Sequence, residues 1–326
     1  MGVELDETDR RIIGALQVDG RATFKHVANV LKLPERTVSR RGQQLLENGL
    51  LQVTGLIERE MDSRKEAVVV RIKCAPGLNR VVATALSHLP ESIFVYITSG
   101  ENEIISELFG SPQRLAELLL DQLPGINGVS GVTSSSCLKY YRTAAQWNPQ
   151  ILSDSERESF SANKVPPAIQ EIELGNEDRA ILEVISKNGR ATFDQIARAC
   201  GLAEATARRK TTTLLESGAL SIHAVVNPAT IGFPYECWMW LQTSPSETGK
   251  IAERLLLDSR VRYLATVTGE YQILLEVAMK NKKELNAFIN NEDGWADNVS
   301  AVHSTLMIEA FKRSGRIINS IDRIAH

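Results

Sequence analysis

Residues 23–47, TFKHVANVLKLPERTVSRRGQQLLE, contain the pattern that decides the fold of this chain. Apolar residues recur at helical spacing on both sides of Lys32, which predicts two short helices joined by a tight turn. The pattern returns at residues 192–216 as TFDQIARACGLAEATARRKTTTLLE. Leu5 and Leu174, which precede the two copies, are 169 positions apart, and the same offset relates the glycines around them. A constant offset of this kind predicts an internally duplicated protein.

The composition is that of an ordinary globular protein. Of the 326 residues, 43% are hydrophobic and 24% are charged, which suits about two to four domains with real cores. The first residues, MGVELDETDRR, form no apolar signal segment, and no window holds the roughly 18 apolar residues of a membrane helix. We therefore expect a cytoplasmic protein with no membrane partner. The cysteines form no CxxC pair and the histidines are scattered, so we expect free thiols, no metal site and no cofactor.

The net charge excludes a protein that is drawn to DNA by its overall field. The chain has 37 Lys and Arg against 40 Asp and Glu, for a net charge of -3. Within residues 5–52, basic residues outnumber acidic ones by eight to six. Any contact with nucleic acid must therefore come from particular helices.

The helix predicted after Pro34 decides the functional question. With about 100° per residue, Val38 and Gly42 lie on its buried side. Arginine can pair with guanine and glutamine with adenine in the major groove, so the polar outer face predicts a recognition helix for duplex DNA. Arg41 projects to the flank, where a phosphate contact or an internal salt bridge is expected. The predicted DNA contacts are Arg36, Thr37, Ser39, Arg40, Arg41 and Gln43 in the first copy, and Thr206, Arg208, Arg209, Lys210 and Thr212 in the second.

A simpler interpretation is that these side chains form a solvated helix face, which is the default for any amphipathic helix. The helix-turn-helix spacing and its repetition favour DNA binding. The second copy has fewer long polar side chains on its outer face, where Ala205 stands, and its run Thr211–Thr213 weakens helix propensity. We therefore predict that the first copy recognises bases more stringently. The turn needs a left-handed residue, which Gly201 supplies and which Lys32 adopts with a small strain.

The rest of each half predicts a sheet domain. After a short strand or wing, residues 66–142 give strands and helices in the order β-α-β-β-α-β, the ferredoxin-like plan, and residues 235–313 repeat it. The fold class is thus α+β, with two winged helix-turn-helix units, each followed by a ferredoxin-like regulatory domain. The predicted boundaries are 1–60 and 61–142 for the first half, 143–173 for a linker without sustained period, and 174–228 and 229–326 for the second half.

The quoted helical stretches resemble the N-terminal signature of the Lrp/AsnC family of transcription regulators, and NPATIGFPYECWMWLQ is similar to the family's connector. The resemblance implies a DNA reader joined to a regulatory (RAM-type) domain, homo-oligomers, and a small-molecule effector such as an amino acid or a related metabolite. It places the effector at the turn between the second and third strands of each sheet domain. These residues are Gly100, Glu101, Asn102 and Glu103, and Gly269, Glu270, Tyr271 and Gln272. Glu103 and Gln272 replace the family's usual Asp, and a plain hairpin would also explain both glycines.

Two other functions stay open at this stage. Siroheme decarboxylases resemble the chain in architecture, but their sheet turn is rich in His and Arg, and FVYITSGENEIIS and LATVTGEYQILLE contain neither. A non-DNA-binding interaction module would fit the acidic balance of the chain. We expect a regulator rather than an enzyme, because no nucleophile, general base or phosphate loop stands out.

Overall fold

The computed structural model describes residues 5–57, 65–100, 103–161, 174–292 and 294–318. The first helices are α1 (Glu7–Val18), α2 (Phe24–Leu31) and α3 (Glu35–Glu47), followed by strand β1 (Leu51–Ile57). Asp6 and Asp9 form a capping box at the start of α1, and the Thr23 side chain caps α2. Lys32 ends α2 at φ 55°, as the sequence predicts.

The first sheet domain comprises β2 (Glu66–Cys74), α4 (Asn79–Ser87), β3 (Ser92–Thr98), β4 (Glu103–Gly110), α5 (Pro112–Glu117), a π-helical turn (Leu118–Gln122), α6 (Leu123–Gly125) and β5 (Val129–Arg142). The predicted linker then contains a helix, α7 (Asp154–Ser161), which packs against α1 and α2. Its polar composition conceals this packing, because one buried aromatic residue, Phe160, carries the contact to His26.

The second half follows the same plan. Its elements are α8 (Asn176–Lys187), α9 (Phe193–Cys200), α10 (Glu204–Glu216), β6 (Leu220–Val226), a 3-10 turn (Pro228–Ile231), β7 (Tyr235–Thr243), α11 (Pro245–Leu256), β8 (Val261–Val267), β9 (Ile273–Met279), α12 (Lys282–Ile289), β10 (Val299–Arg313) and β11 (Arg316–Ile317). The mixed helix and sheet class predicted from the sequence is confirmed. In the described residues, no helix is both long enough and apolar enough to cross a bilayer.

The chain forms two compact units, and each draws on both halves of the sequence. The helical unit contains residues 1–63 and 148–231, and the sheet unit contains residues 64–147 and 232–326. In the helical unit, β1 and β6 pair in antiparallel register from Leu51 opposite Val226 to Ile57 opposite Leu220. The strand expected as a wing of each copy is thus the element that joins the two copies.

Two arginines at equivalent positions reinforce this pairing. Arg21 donates to the carbonyls of Gly189 (2.8 Å) and Ala191 (3.2 Å), and Arg190 donates to those of Gly20 (2.8 Å) and Ala22 (3.1 Å). Burial, and for Arg21 also the charge of Arg190, lowers the pKa of each guanidinium. Each arginine therefore donates hydrogen bonds to backbone carbonyls in the turn that precedes the second helix of the opposite copy.

The sheet unit is built on one nine-stranded sheet in the order β11-β10-β3-β4-β2-β5-β8-β9-β7, and β10 also pairs with β7. The long strands β5 and β10 each serve both halves. β5 pairs with β2 through Ser136 and with β8 from Cys137, whereas β10 pairs with β7 through Leu306 and with β3 from Met307. The two ferredoxin-like domains therefore share strands within one chain, a question that the sequence leaves open.

Alternate residues of these strands enter different cores. One set packs under the helices of each domain, as Val70 and Ile72 do beside Leu86. The other set lies in the interior between the strands of the first half and those of the second half. This interior is rich in aromatic side chains, which are Phe94, Tyr96, Trp238, Trp240 and Tyr263. The same interior holds charged side chains, which sequence patterning does not reveal.

Candidate DNA-recognition helices and effector cluster

Helix α3 presents the polar face that its sequence predicts. Val38, Gly42 and Leu45 are buried, and the three side chains on the opposite face, Arg36, Arg40 and Gln43, are exposed. Arg40 donates to Gln44 one turn along the helix (3.0 Å), which orients its guanidinium along the surface. Thr37 and Ser39 are half-buried at the sides of the helix.

Arg41 is held inside the helical unit. Its Nη1 lies 2.5 Å from Asp6 and 3.1 Å from Asp9, the two residues that cap α1. The hydrogen bonds to Asp6 and Asp9 raise the pKa of Arg41, and the Asp9 amide followed by Arg41 lowers the pKa of Asp6. Of the two expectations for Arg41, the internal salt bridge is the one that the structure contains.

Lys210 repeats this arrangement in the second copy, 169 positions later. Its Nζ lies 3.0 Å from Asp178 and 3.2 Å from Glu177, at the start of α8. The hydrogen bond to Asp178 raises the pKa of Lys210. Arg41 and Lys210 therefore tie each recognition helix to the first helix of its own copy.

Helix α10 presents a different surface from α3. Arg208 and Arg209 are exposed, whereas Thr206 and Thr212 are half-buried. Arg208 pairs with Glu204 (3.2 Å) and lies over the Phe193 ring, 4.8 Å from its centroid. Glu204 holds Arg208 and Asp178 holds Lys210. Among the predicted contact residues of this copy, Arg209 therefore has the greatest freedom to reach a ligand.

The two predicted effector turns differ in their side-chain contacts. Gly100 and Gly269 both adopt left-handed backbone, at φ 113° and 112°. Glu101 and Asn102 lie outside the described residues. In the second turn, Gln272 donates to the carbonyls of Gly269 and Glu270 and accepts from the Thr243 amide (2.9 Å), so its amide holds the hairpin together. Glu270 is exposed and Tyr271 is half-buried.

At the first turn, Glu103 belongs to a cluster that the sequence does not reveal. Arg71 Nη2 donates to both carboxylate oxygens of Glu103, at 3.0 and 2.9 Å, and lies 3.1 Å from His303 Nε2. The Arg71 guanidinium also covers the Trp240 ring at 4.7 Å, and His303 packs against Trp240 and Tyr271. We call these five residues, Arg71, Glu103, Trp240, Tyr271 and His303, the Arg71 cluster.

Arg71 and His303 are not predictable from the turn sequence because neither residue lies in the turn. Arg71 lies in the middle of β2, and His303 lies in the last long strand, more than 200 positions away. One available signal is that Arg71 is in phase with Val69, whose side chain faces the space between the sheets. A charged residue on a buried strand face is an indication of a site.

A second charged group lies deeper between the sheet faces. Arg313 makes two bonds of 2.6 Å to Glu236, and Arg262 Nη1 donates to both oxygens of Glu276 at 2.7 Å. Glu107, at the position equivalent to Glu276, accepts instead from Tyr140 (2.5 Å) and Tyr263 (3.1 Å). Three carboxyl groups thus share a buried region with two guanidinium groups.

Comparison with known proteins identifies the family. Residues 5–46 match the AsnC-type helix-turn-helix domain, residues 178–220 match the winged helix-turn-helix DNA-binding model, and residues 236–317 match the Lrp/AsnC ligand binding domain. The uncharacterized HTH-type transcriptional regulator PF1231 of Pyrococcus furiosus is 33% identical over 133 residues, which cover 40% of this chain and 90% of that protein. The chain belongs to the Lrp/AsnC family. It is a DNA-binding transcription regulator that responds to a small metabolite through its ligand-binding domain.

A second regulator and a solved structure cover different shares of the chain. The HTH-type transcriptional regulator FL11 of Pyrococcus abyssi is 26% identical over 144 residues, covering 44% of this chain and 95% of its own length. The crystal structure of the siroheme decarboxylase NirDL covers 96% of this chain and 94% of its own, with a TM-score of 0.61 and 13% identity. That likeness shows a shared fold over nearly the whole chain.

Proposed function

We propose that one chain of this regulator recognises both half-sites of an imperfect palindrome in DNA. Helices α3 and α10 enter the major groove, one at each half-site. The observation that carries the proposal is the pairing of β1 with β6, because it joins two helix-turn-helix copies within one helical unit. Single-copy relatives such as FL11 match less than half of this chain. A family member with one copy needs two chains for two half-sites, whereas this chain supplies both.

The two recognition helices have unequal roles in this proposal. On α3, Arg36, Arg40 and Gln43 contact base edges, with Thr37 and Ser39 at the sides. On α10, Arg208 and Arg209 contact phosphates, with Thr206 and Thr212 nearby. Arg41 and Lys210 position the helices through the carboxylates they hold, rather than contacting DNA directly.

The sheet unit is proposed to bind the effector, an amino acid or a related metabolite, at the turns that start with Gly100 and Gly269. The helix-turn-helix domains would span residues 1–60 and 174–228, and the regulatory domains residues 61–142 and 229–326. We propose further that the protein is not an enzyme and that copies of it associate into a homo-oligomer.

The experiment that tests unequal recognition compares Arg40→Ala with Arg209→Ala in binding to the DNA upstream of the protein's own gene. Fluorescence anisotropy over a salt series gives affinity and salt dependence together. Loss of Arg40 should cost about 1–3 kcal/mol and relax the preference at one base pair. Loss of Arg209 should reduce the salt slope by about 1 and weaken all sequences alike.

A matched control is Lys187→Ala, which removes an exposed cation at the end of α8 that pairs with Glu183. This variant should bind like the wild type. Equal losses for Arg40→Ala and Arg209→Ala, with equal changes in base preference, would contradict unequal roles. No binding even at low salt, where phosphate contacts are strongest, would favour an interaction module that does not recognise DNA.

A tetrapyrrole-binding enzyme is the second candidate, because NirDL shares the fold and has been crystallised with an iron-uroporphyrin III analogue. Arg71 of β2 and His303 of β10, whose side chains meet at 3.1 Å, are the residue types that the turn itself lacks. Against this, the space between the sheets is filled by Phe94, Trp238 and Tyr263, whose rings pack at 4.9–6.1 Å. Adding an iron porphyrin and recording the absorption spectrum separates the two, since a bound porphyrin shifts the Soret band.

A further inference from the structure

The Arg71 cluster has the composition of an anion site that is already occupied. The Arg71 guanidinium meets three kinds of partner within the sheet unit: the Glu103 carboxylate, the face of Trp240 and the His303 ring. A guanidinium that is stacked on an aromatic ring and paired with a carboxylate is a common arrangement for recognising a carboxylate. In this protein, Glu103 supplies that carboxylate.

Glu103 differs from the interior carboxylates Glu107, Glu236 and Glu276 in its position. It is the first residue of β4, three residues after Gly100, and so lies at the end of a hairpin near the surface. The side chain of its partner Arg71 is 23% exposed, whereas Arg262 and Arg313 are 1% and 6% exposed beside Glu236. The Glu103 side chain is itself 8% exposed, against 0% for Glu236, so it has a shorter path into water, where its carboxylate regains hydration.

We propose that Glu103 is an internal substitute for the carboxylate of the effector. A small carboxylate with a flat, unsaturated body displaces Glu103 from Arg71, and its body lies against the half-buried rings of Tyr271 and His303. This inference rests on the proposed effector-binding function of the sheet unit. It gives that effector a chemical class and assigns Glu103 the role of competitor rather than ligand contact.

The duplication predicts how many such sites one chain carries. At the equivalent positions of the second copy, Trp240 replaces Arg71, Gln272 replaces Glu103 and the Gln272 amide is used within its own turn. The position equivalent to Arg71 therefore gives the second turn no guanidinium to receive a carboxylate. One effector should bind per chain.

Displacement of Glu103 would also reach β10. Ser99, just before the turn, donates its amide to the Leu306 carbonyl (2.8 Å) and accepts from Thr305 Oγ1 through its own carbonyl (2.5 Å). These bonds tie the first turn to the long strand that serves both ferredoxin-like domains. Binding at Arg71 can therefore shift β10 and, through it, the second domain of the sheet unit.

The test uses benzoate as the probe and benzamide as its uncharged match, with binding to the full chain measured by calorimetry. Benzoate should bind the wild type weakly, with one site per chain, and should bind Glu103→Gln at least about tenfold more tightly, because the internal competitor has lost its charge. Benzamide should show no such gain. Arg71→Gln should lose benzoate binding, and Arg71→Lys, which keeps the charge without the planar fork, should weaken it at least about tenfold.

The matched control is Glu309→Gln, which removes another buried carboxylate of the sheet unit, paired with Arg80 at 2.8 Å. It should leave benzoate binding unchanged. Weaker benzoate binding in Glu103→Gln than in the wild type, no binding to either protein, or two sites per chain would each overturn the proposal. Glu103→Asp, which retracts the carboxylate by one methylene, should give an intermediate gain and serves as a second variant if the Gln variant folds poorly.

DNA binding by the same preparations separates the two levels of the proposal. If DNA binding depends on Arg40 while benzoate fails to bind, the carboxylate inference is wrong and the DNA-recognition proposal is retained. If benzoate binds as expected but DNA does not, the carboxylate site stands and the DNA-recognition proposal is wrong.

Discussion

Glu276 is a buried acid in surroundings that favour its protonated form. It faces Arg262, Glu236, Arg313 and Tyr96 between the sheet faces. Burial raises the pKa of Glu276 to about 7, with the charge of Glu236 adding to the effect and Arg262 opposing it. Burial also opposes the ionisation of Glu236, but Arg313 outweighs it and lowers the pKa of that group.

The raised pKa gives a prediction about stability and pH. Between about pH 4.5 and 7 the folded protein keeps a proton on Glu276 that the unfolded chain releases, so this group makes stability fall as pH rises through that window. Glu276→Gln should remove this dependence, so its stability relative to the wild type should rise between pH 5 and pH 8 by an amount on the order of 1–3 kcal/mol. Urea unfolding of both proteins at pH 5 and pH 8 measures the difference.

Glu236→Gln changes the other acid of the same buried cluster, the one that pairs with Arg313. Because it leaves Arg313 without its carboxylate, it should destabilise the protein at pH 8 by about 3–5 kcal/mol. A stability difference between wild type and Glu276→Gln that is the same at both pH values would show that Glu276 keeps an ordinary pKa.

At the level of the elements, α3 and α10 pack differently against the helix before them. Gly42 of α3 is buried, and a Cβ built there would lie 2.3 Å from the Phe24 ring, which Arg190 covers at 5.1 Å. The equivalent residue of α10 is Thr211, which is fully buried, and its Oγ1 has no hydrogen-bond partner among the described residues.

Opposite substitutions at these two positions should therefore have opposite effects. Gly42→Thr should destabilise the first helix-turn-helix by about 1–3 kcal/mol, because the Phe24 ring must move. Thr211→Ala should stabilise the second by about 0.5–1 kcal/mol, since it removes an unpaired hydroxyl and improves helix propensity. Hydrogen exchange of amides 24–47 and 193–216 reports each effect locally, and protection that rises in both variants would contradict the packing argument.

The elements also show how far sequence reasoning reaches. The faces of α3 follow from a rotation of about 100° per residue, because burial of Val38 and exposure of Arg40 are local consequences of helix geometry. The left-handed Lys32 follows from the same local rules. The cluster of Arg71 and His303 does not, because it depends on β10 crossing from one domain to the other, and alternation along a strand does not name the strand opposite. The helix Asp154–Ser161 is missed for a related reason, since Phe160 is its main apolar contact.

At the level of the molecule, both helix-turn-helix copies belong to one helical unit of a single chain. In the helical unit, β1 pairs with β6 and the two arginines Arg21 and Arg190 exchange bonds with each other's copy. In the proposed complex, once one recognition helix is bound to DNA, the second would bind at the high effective concentration set by this connection. The affinity for a two-half-site operator should therefore depend on how rigidly the two copies are joined.

The double variant Arg21→Ala/Arg190→Ala tests that dependence. It removes four bonds to backbone carbonyls of the opposite copy without changing the exposed face of α3 or α10. Affinity for an operator with both half-sites should fall by about 10- to 100-fold, whereas affinity for a single half-site should change little, because only the linkage is weakened. Anisotropy titrations with both DNA lengths measure the two quantities, and Arg198→Ala, which removes an exposed arginine paired with Asp194 in its own helix, is the control. A double variant that loses affinity equally for both DNAs would mean that Arg21 and Arg190 maintain each copy separately, and the two recognition helices would then act as independent readers.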